Sequence, residues 1–114
     1  MEIKTEDYHI YYNTETMTIN CQGSLRLGGM GEYTPIVELL NQVADQQPHQ
    51  IVFDLRQLKF LNSSGINVLS KFVIKVREKK NVQLVVQGSQ KIPWQGKSLK
   101  NLKRLMPSLQ LEWE

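Results

Sequence analysis

The chain has 114 residues, a length that fits one domain, residues 1–114, with a single hydrophobic core. Hydrophobic residues make up 40% of it and charged residues 22%, which excludes a disordered, collagen-like or low-complexity chain. No apolar run approaches the roughly 18 residues of a membrane-spanning helix, and the first ten residues lack the order of a signal peptide. We therefore expect a cytoplasmic protein.

Charge is distributed unevenly along the chain, although the net charge is only +3. Residues 1–50 carry two basic and seven acidic side chains, whereas residues 51–114 carry twelve basic and four acidic ones. Such an imbalance can indicate an acidic partner or nucleic acid. Because the two halves of a compact domain interleave, a mixed, solvated surface is the simpler interpretation.

Side chains that could hold a metal or catalyse a reaction are sparse. Cys21 is the only cysteine, which excludes an internal disulfide, and we expect it to pack as a small hydrophobic residue. His9 and His49 have no carboxylate or cysteine at ligand spacing, so the sequence predicts no metal site. No convincing Ser-His-Asp order or pair of carboxylates is present either. We expect no catalytic residue and no cofactor.

The N-terminal half of the chain predicts a hairpin followed by a helix. β-branched and aromatic residues indicate two strands, Tyr8–Tyr12 and Met17–Cys21, joined by the turn-prone sequence NTET. A glycine-rich connection containing GGMG comes next. Apolar residues at helical spacing then predict a first helix that has Pro35 in its first turn and ends before Pro48.

The C-terminal half alternates strands and helices. The apolar runs at Ile51–Leu55 and Val82–Val86 are typical of strands covered on both faces. Between them, apolar residues three and four positions apart predict a second helix. A third helix with leucines on its core face and a last strand at Leu109–Trp113 follow. The order β-β-α-β-α-β-α-β predicts an α/β domain with a mixed sheet, antiparallel in the hairpin and largely parallel afterwards.

The region of the third helix suggests phosphate or nucleic-acid binding only weakly. The sequence GKS lacks the first glycine of a P-loop, and we interpret its glycine as a loop residue and Ser98 as the helix cap. Lys97, Lys100 and Arg104 share a helix face, yet no recognition-helix or RNA-platform pattern accompanies them. We therefore do not expect nucleic acid to be a partner.

The joint between the third strand and the second helix has the sequence NSSG. Asn62 can cap the helix, because its side chain can accept a hydrogen bond from a free N–H group of the first turn. One cap suffices, so Ser63 and Ser64 need another explanation. Glycine in a first turn costs roughly 1 kcal/mol relative to alanine. We interpret Gly65 as an opening through which another protein reaches the two hydroxyls.

A phosphate on one of these hydroxyls is compatible with a folded domain. The positive end of the helix dipole and the free N–H groups favour an anion. The phosphate would add roughly two negative charges to the surface, so the patch could bind a partner in one state and repel it in the other. In the alternative interpretation, both serines only start the helix.

The run IVFDL followed by RQLKFLNSSGINVL resembles the signature of STAS domains of the anti-sigma factor antagonist type. That signature is a strand, Asp-Leu, a few further residues, a hydrophobic residue, and then Asp-Ser-Ser/Thr-Gly before a Leu/Ile-rich helix. The other elements fit the family's order over essentially the whole chain. The resemblance implies a single-domain STAS-like fold and a bacterial signalling protein that regulates transcription without catalysis of its own.

The resemblance also implies a site and its partners. The first serine of the motif, here Ser63, is the phospho-acceptor of a serine kinase that doubles as an anti-sigma factor, and a PP2C-type phosphatase reverses the modification. The unphosphorylated form binds the kinase and frees its other client. The residues around Ser63 would form the partner-binding surface: Asn62, Ser64, Gly65, Ile66 and Asn67.

Asn62 stands where the family usually has aspartate. Asparagine keeps a hydrogen-bonding cap and would repel a phosphate less. A related group of phospho-regulated STAS-like proteins has Asn-Thr-Ser at this joint, and some of them act on cyclic-dinucleotide synthesis. The downstream target therefore stays open between a sigma-factor pathway and another target such as a cyclic-dinucleotide synthase, and a non-switching STAS scaffold remains an alternative.

Overall fold

Six strands form one sheet in the computed structural model, which describes residues 1–114. They are β1 Glu2–Lys4, β2 Tyr8–Asn13, β3 Thr18–Leu25, β4 Gln50–Leu61, β5 Gln83–Gly88 and β6 Gln110–Trp113, and they lie in the sheet in chain order. The first three strands pair antiparallel and the pairs from β3 to β6 are parallel. The predicted mixed sheet is confirmed, and β1 is an additional edge strand that the sequence pattern missed.

Three helices connect the parallel strands: α1 Thr34–Asp45, α2 Ser63–Glu78 and α3 Gln95–Leu105. Each connection leads to the next strand in the same direction across the sheet. Because such crossovers are right-handed, the three helices lie on one face of the sheet. No helix has the length and apolar content needed to cross a membrane.

The two faces of β4 differ, so the prediction that this strand is covered on both faces is wrong. Ile51, Phe53 and Leu55 are fully buried, whereas Val52 and Asp54 are only partly buried. The buried residues point towards the helices, where the rings of Phe53 and Phe72 meet edge to face at a centroid distance of 5.2 Å. Val52 adds an apolar residue to the run although it lies with Asp54 on the open face of the sheet.

Cys21 is buried in the core, as predicted. Burial, reinforced by the nearby negative charge of Asp54, raises the pKa of its thiol. Because the thiolate is the reactive form of cysteine, Cys21 is chemically inert in the folded protein.

The first and third helices test two predicted boundaries. α1 ends at Asp45, before Pro48, as predicted. α3 begins at Gln95, so the predicted cap at Ser98 is wrong, and the glycine of GKS lies inside the helix rather than in a loop. The helix starts early because side chains at its beginning are tied to β4. The indole N–H of Trp94, for example, donates to the carbonyl of Leu58 at 2.9 Å.

Candidate functional site

The joint between β4 and α2 is organised around the side chain of Asn62. Its Oδ1 atom accepts hydrogen bonds from the backbone N–H of Gly65 at 3.0 Å and from the hydroxyl of Tyr33 at 2.7 Å. Its Nδ2 atom donates to the carbonyl of Leu27 at 2.8 Å. The predicted cap is confirmed, and the same amide also fastens the loop between β3 and α1 to the start of α2.

The hydrogen bond to Leu27 explains why an amide suits position 62. An ionised aspartate would accept from Gly65 and Tyr33 equally well, but it has no proton to donate to a carbonyl oxygen. It would instead place a negative charge beside the carbonyl of Leu27 in a partly buried position, where an unmet hydrogen bond is costly. Asn62, which replaces the aspartate of the family pattern, therefore suits the loop that contains Leu27 because it can donate a hydrogen bond to that loop.

Tyr33 supports Asn62 from inside the domain. Its side chain is fully buried, and its hydroxyl lies between Oδ1 of Asn62 and the carbonyl of Leu25, which is 3.4 Å away. Burial is the main cause that raises the pKa of the Tyr33 phenol. The hydroxyl therefore keeps its proton and remains a donor to Asn62.

Gly65 has a different role from the predicted one. It is buried, and a Cβ atom there would collide with the side chain of Leu61 and lie 2.7 Å from the hydroxyl oxygen of Tyr33. The absence of a side chain is thus required by packing inside the domain. Gly65 is not an opening for a partner, and it lets α2 approach the end of β4 closely.

The two serines of the joint differ in exposure. Ser63 is the first residue of α2 and is exposed, and its hydroxyl makes no hydrogen bond within the chain. Ser64 is partly buried, and Ile66 packs against the core. Asn67, four residues after Ser63, is exposed on the same side of the helix. Ser63 and Asn67 therefore form the accessible edge of this joint.

Few large hydrophobic residues are exposed on this chain. Three large hydrophobic residues are exposed in the whole chain, and one of them is the terminal Met1. The other two are Phe60, 38% exposed near the end of β4, and Met30, 39% exposed in the loop before α1. The guanidinium of Arg26 lies over the Phe60 ring, 4.4 Å from its centroid, a cation–π contact. Aromatic, Met and Arg side chains are enriched in protein interfaces.

Sequence reasoning missed Phe60, Met30 and Arg26. Only the position of Phe60, next to the serine motif, was visible in the sequence. Arg26 reaches it because β3 and β4 are paired, with Ser24 opposite Phe60. Met30 belongs to a glycine-rich loop for which apolar periodicity gives no signal.

A second polar joint lies where β5 leads to α3. The side chain of Gln95 is completely buried. Its Oε1 accepts from the backbone N–H of Ser89 at 2.7 Å, and its Nε2 donates to the carbonyls of Leu55 and Leu58 at 2.7 Å and 3.1 Å. These bonds satisfy backbone groups inside the domain, so Gln95 is a structural residue.

Other polar contacts lie away from the joint. On the open face of the sheet, Asp54 forms an ion pair with Arg56 at 2.9 Å. Burial alone would raise the pKa of Asp54, but hydrogen bonds and charge from Arg56 outweigh it and lower the pKa. His9 contacts Glu2, whereas His49 is exposed in the loop before β4. No cluster of three or more metal-ligating side chains is present.

Comparison with known proteins identifies the family to which the chain belongs. A family model described as STAS domain matches residues 32–95, more than half of the chain. The chain therefore belongs to the STAS domain family and is a STAS-type regulatory protein. No curated protein sequence matches the chain.

Two solved structures share its architecture. One is described as the crystal structure of the diguanylate cyclase SiaD in complex with its activator SiaC from Pseudomonas aeruginosa. The match has a TM-score of 0.75 and 11% identity over 100% of this chain and 99% of that chain. The other, SiaC of Pseudomonas aeruginosa, matches with a TM-score of 0.71 and 12% identity over 100% and 98% of the two chains. At such low identity the likeness shows the fold alone.

Proposed function

We propose that this protein is a phosphorylation-controlled partner-switching module in which Ser63 accepts the phosphate. One observation carries the proposal: Ser63 is exposed at the start of α2, and its hydroxyl has no hydrogen bond within the chain. The backbone around it is held in place by Asn62. A kinase can therefore reach the hydroxyl without unfolding the joint.

The surroundings of Ser63 give the modification an effect on binding. Phe60, three residues before Ser63 in the chain, offers exposed apolar surface, and such surface favours burial against a protein. A phosphate on Ser63 would stay hydrated, because burying its charge against an apolar partner is costly. The N–H groups of α2 tolerate the anion. The modification thus weakens binding and leaves the fold intact.

The proposed partners follow the family pattern. A serine kinase that is also an anti-sigma factor would phosphorylate Ser63, and a PP2C-type phosphatase would restore the free hydroxyl. The kinase would contact Ser64, Ile66 and Asn67 beside Ser63. Asn62 and Gly65 would contribute indirectly, by fixing the shape of the surface from inside.

A diguanylate cyclase is a second candidate for the client. SiaC, whose fold this chain shares, is described as the activator of the diguanylate cyclase SiaD. Asparagine at position 62 agrees with this candidate, since the STAS-like proteins that resemble this joint and act on cyclic dinucleotides also carry asparagine there. In this version, the phosphate on Ser63 controls binding to the cyclase.

Parallel pull-downs from the native cells test the proposal. The Ser63→Ala form should retain a kinase or a cyclase that the Ser63→Asp form loses, and the identity of that protein decides between the two clients. Ser64→Ala is the matched control and should behave as the unmodified protein does. Identical partner sets for Ser63→Ala and Ser63→Asp would contradict switching and favour a constitutive STAS scaffold.

A further inference from the structure

A groove of about 290 Å³ runs between α1 and α2. Its floor is apolar and comes from both helices: Val37, Leu40, Val68 and Phe72. Leu40, Val68 and Phe72 are at least 95% buried, so the accessible apolar surface comes mainly from the half-buried Val37 and from Met30 at the mouth. The groove is therefore shallow and suits apolar side chains that enter from outside.

The rim of the groove is basic. Lys71 and Lys75 line it from α2. Lys75 forms an ion pair with Asp45 of α1 at 3.1 Å, and Lys79 approaches the same carboxylate at 3.5 Å. Lys71 is exposed and lies in no ion pair. The single carboxylate is thus shared between two lysines, and the rim retains positive charge.

The groove continues the surface around Ser63. Both are built on α2, which begins at Ser63 and provides Val68, Lys71, Phe72 and Lys75 to the groove. Along α2, Ser63, Asn67 and Lys71 follow one another at intervals of four residues, so they form one exposed stripe. A partner that contacts Ser63 can therefore extend along α2 into the groove.

We propose that the α1–α2 groove receives an acidic amphipathic helix of the switching partner, with apolar side chains against Val37 and Met30 and a carboxylate facing Lys71. The inference rests on the proposed function, because it concerns the same partner. The charge and lining of the groove favour this occupant, since the apolar floor comes from two helices and Lys71 on the rim is exposed and lies in no ion pair. Helix-in-groove recognition needs only a few apolar anchors at helical spacing.

Photo-crosslinking in the native cells identifies the occupant. A photoreactive amino acid replaces Asn41, which lines the groove, and in a matched control it replaces Lys100, an exposed lysine of α3. The expected product at position 41 is a partner peptide with acidic and apolar residues at helical spacing, absent from the control. A crosslink to a second copy of this chain, to a basic segment, or to no protein while the partner is bound would overturn the inference. So would a lipid retained in the groove, detected by native mass spectrometry.

Affinity measurements with the crosslinked partner then test the charge contact. Lys71→Glu should weaken binding roughly three- to tenfold, whereas Lys100→Glu, which changes the net charge equally, should leave it unchanged. Reversing the facing carboxylate of the partner to lysine should restore binding to Lys71→Glu. Thermal unfolding should be the same for both variants, since both lysines are exposed. Equal affinity of the Lys71→Glu and Lys100→Glu forms would overturn the inference.

The two proposals fail in different ways. If Ser63→Asp abolishes binding while Lys71→Glu has no effect, the switch stands and the groove is not used. If Lys71→Glu weakens binding while Ser63→Asp has no effect, the groove binds a partner but Ser63 does not control it, and the inference as stated is overturned together with the proposed function.

Discussion

The joints at the ends of β4 and β5 each have a side-chain amide at their centre. Asn62 accepts from Tyr33 and Gly65 and donates to the carbonyl of Leu27, while Gln95 satisfies three backbone groups of neighbouring segments. The two joints nevertheless face different surroundings. Gln95 is fully buried inside the domain, whereas Asn62 lies directly before the exposed Ser63 and two residues after the exposed Phe60. A side-chain amide therefore stabilises a purely structural joint at Gln95, whereas at Asn62 it supports an accessible surface.

Removal of the buried side-chain amide of Gln95 should lower the free energy of unfolding more than any other substitution considered. Gln95→Ala would remove the partners of the Leu55 carbonyl and the Ser89 N–H, would leave the Leu58 carbonyl with only its bond from Trp94, and would also open a cavity. We expect a loss of about 3 kcal/mol in the free energy of unfolding, measured by chemical denaturation. Gln90→Ala, an exposed glutamine in the following loop, should stay within about 0.5 kcal/mol. A change for Gln95→Ala as small as for Gln90→Ala would show that the β5–α3 joint does not depend on the amide.

A methyl group at Gly65 should have the next largest effect. In Gly65→Ala, the side chains of Leu61 and Tyr33 must move away from the added methyl group. We expect this overpacking to lower the free energy of unfolding by about 1–3 kcal/mol. Gly96→Ala in α3 is the matched control, because a Cβ atom there meets nothing within 4 Å. It should stabilise the protein by up to about 1 kcal/mol through helix propensity. Stabilisation by both substitutions would mean that Gly65 is not a packing residue.

The family residue at position 62 should have a smaller effect. Asn62→Asp keeps the two accepted hydrogen bonds but loses the donor to Leu27, and we expect a loss of about 1 kcal/mol at neutral pH. Asn81→Asp, at an exposed asparagine before β5, controls for the added charge. Urea unfolding of the two variants gives the comparison. Equal stability of Asn62→Asp and the unmodified protein would contradict the role given to the Leu27 contact.

The smallest effect is expected on the open face of the sheet. Because the folded-state pKa of Asp54 is lowered, its ion pair with Arg56 stabilises the fold above the unfolded pKa, about 3.9. That contribution is lost as the pH falls through the lowered folded-state value. Arg56 is 40% exposed, so we expect less than about 1 kcal/mol. The difference between the unmodified protein and Asp54→Asn should therefore be present at pH 7 and vanish in acid, measured by urea unfolding at each pH. A difference that grows in acid would contradict this sign.

Local features of the fold could be predicted from the sequence. The helices follow from apolar periodicity and the parallel strands from short apolar runs. The Asn62 cap was predictable because the N–H group that it accepts from belongs to Gly65, only three residues away. The short β1 was missed because three residues, EIK, carry too little pattern. Contacts between distant residues gave no signal, since 29 residues separate Tyr33 from Asn62 and 40 separate Gln95 from Leu55. Gly65 was misinterpreted for the same reason, because its neighbour Tyr33 is adjacent only in three dimensions.

The central claim is that Ser63 carries the phosphate in the native cells. Intact-mass analysis of the protein purified from those cells tests it directly, across growth and stress conditions, with Ser63→Ala and Ser64→Ala forms alongside. We predict a singly phosphorylated species for the unmodified protein and for Ser64→Ala, and none for Ser63→Ala. An unmodified mass under every condition, or a phosphate that persists in Ser63→Ala, would contradict the account.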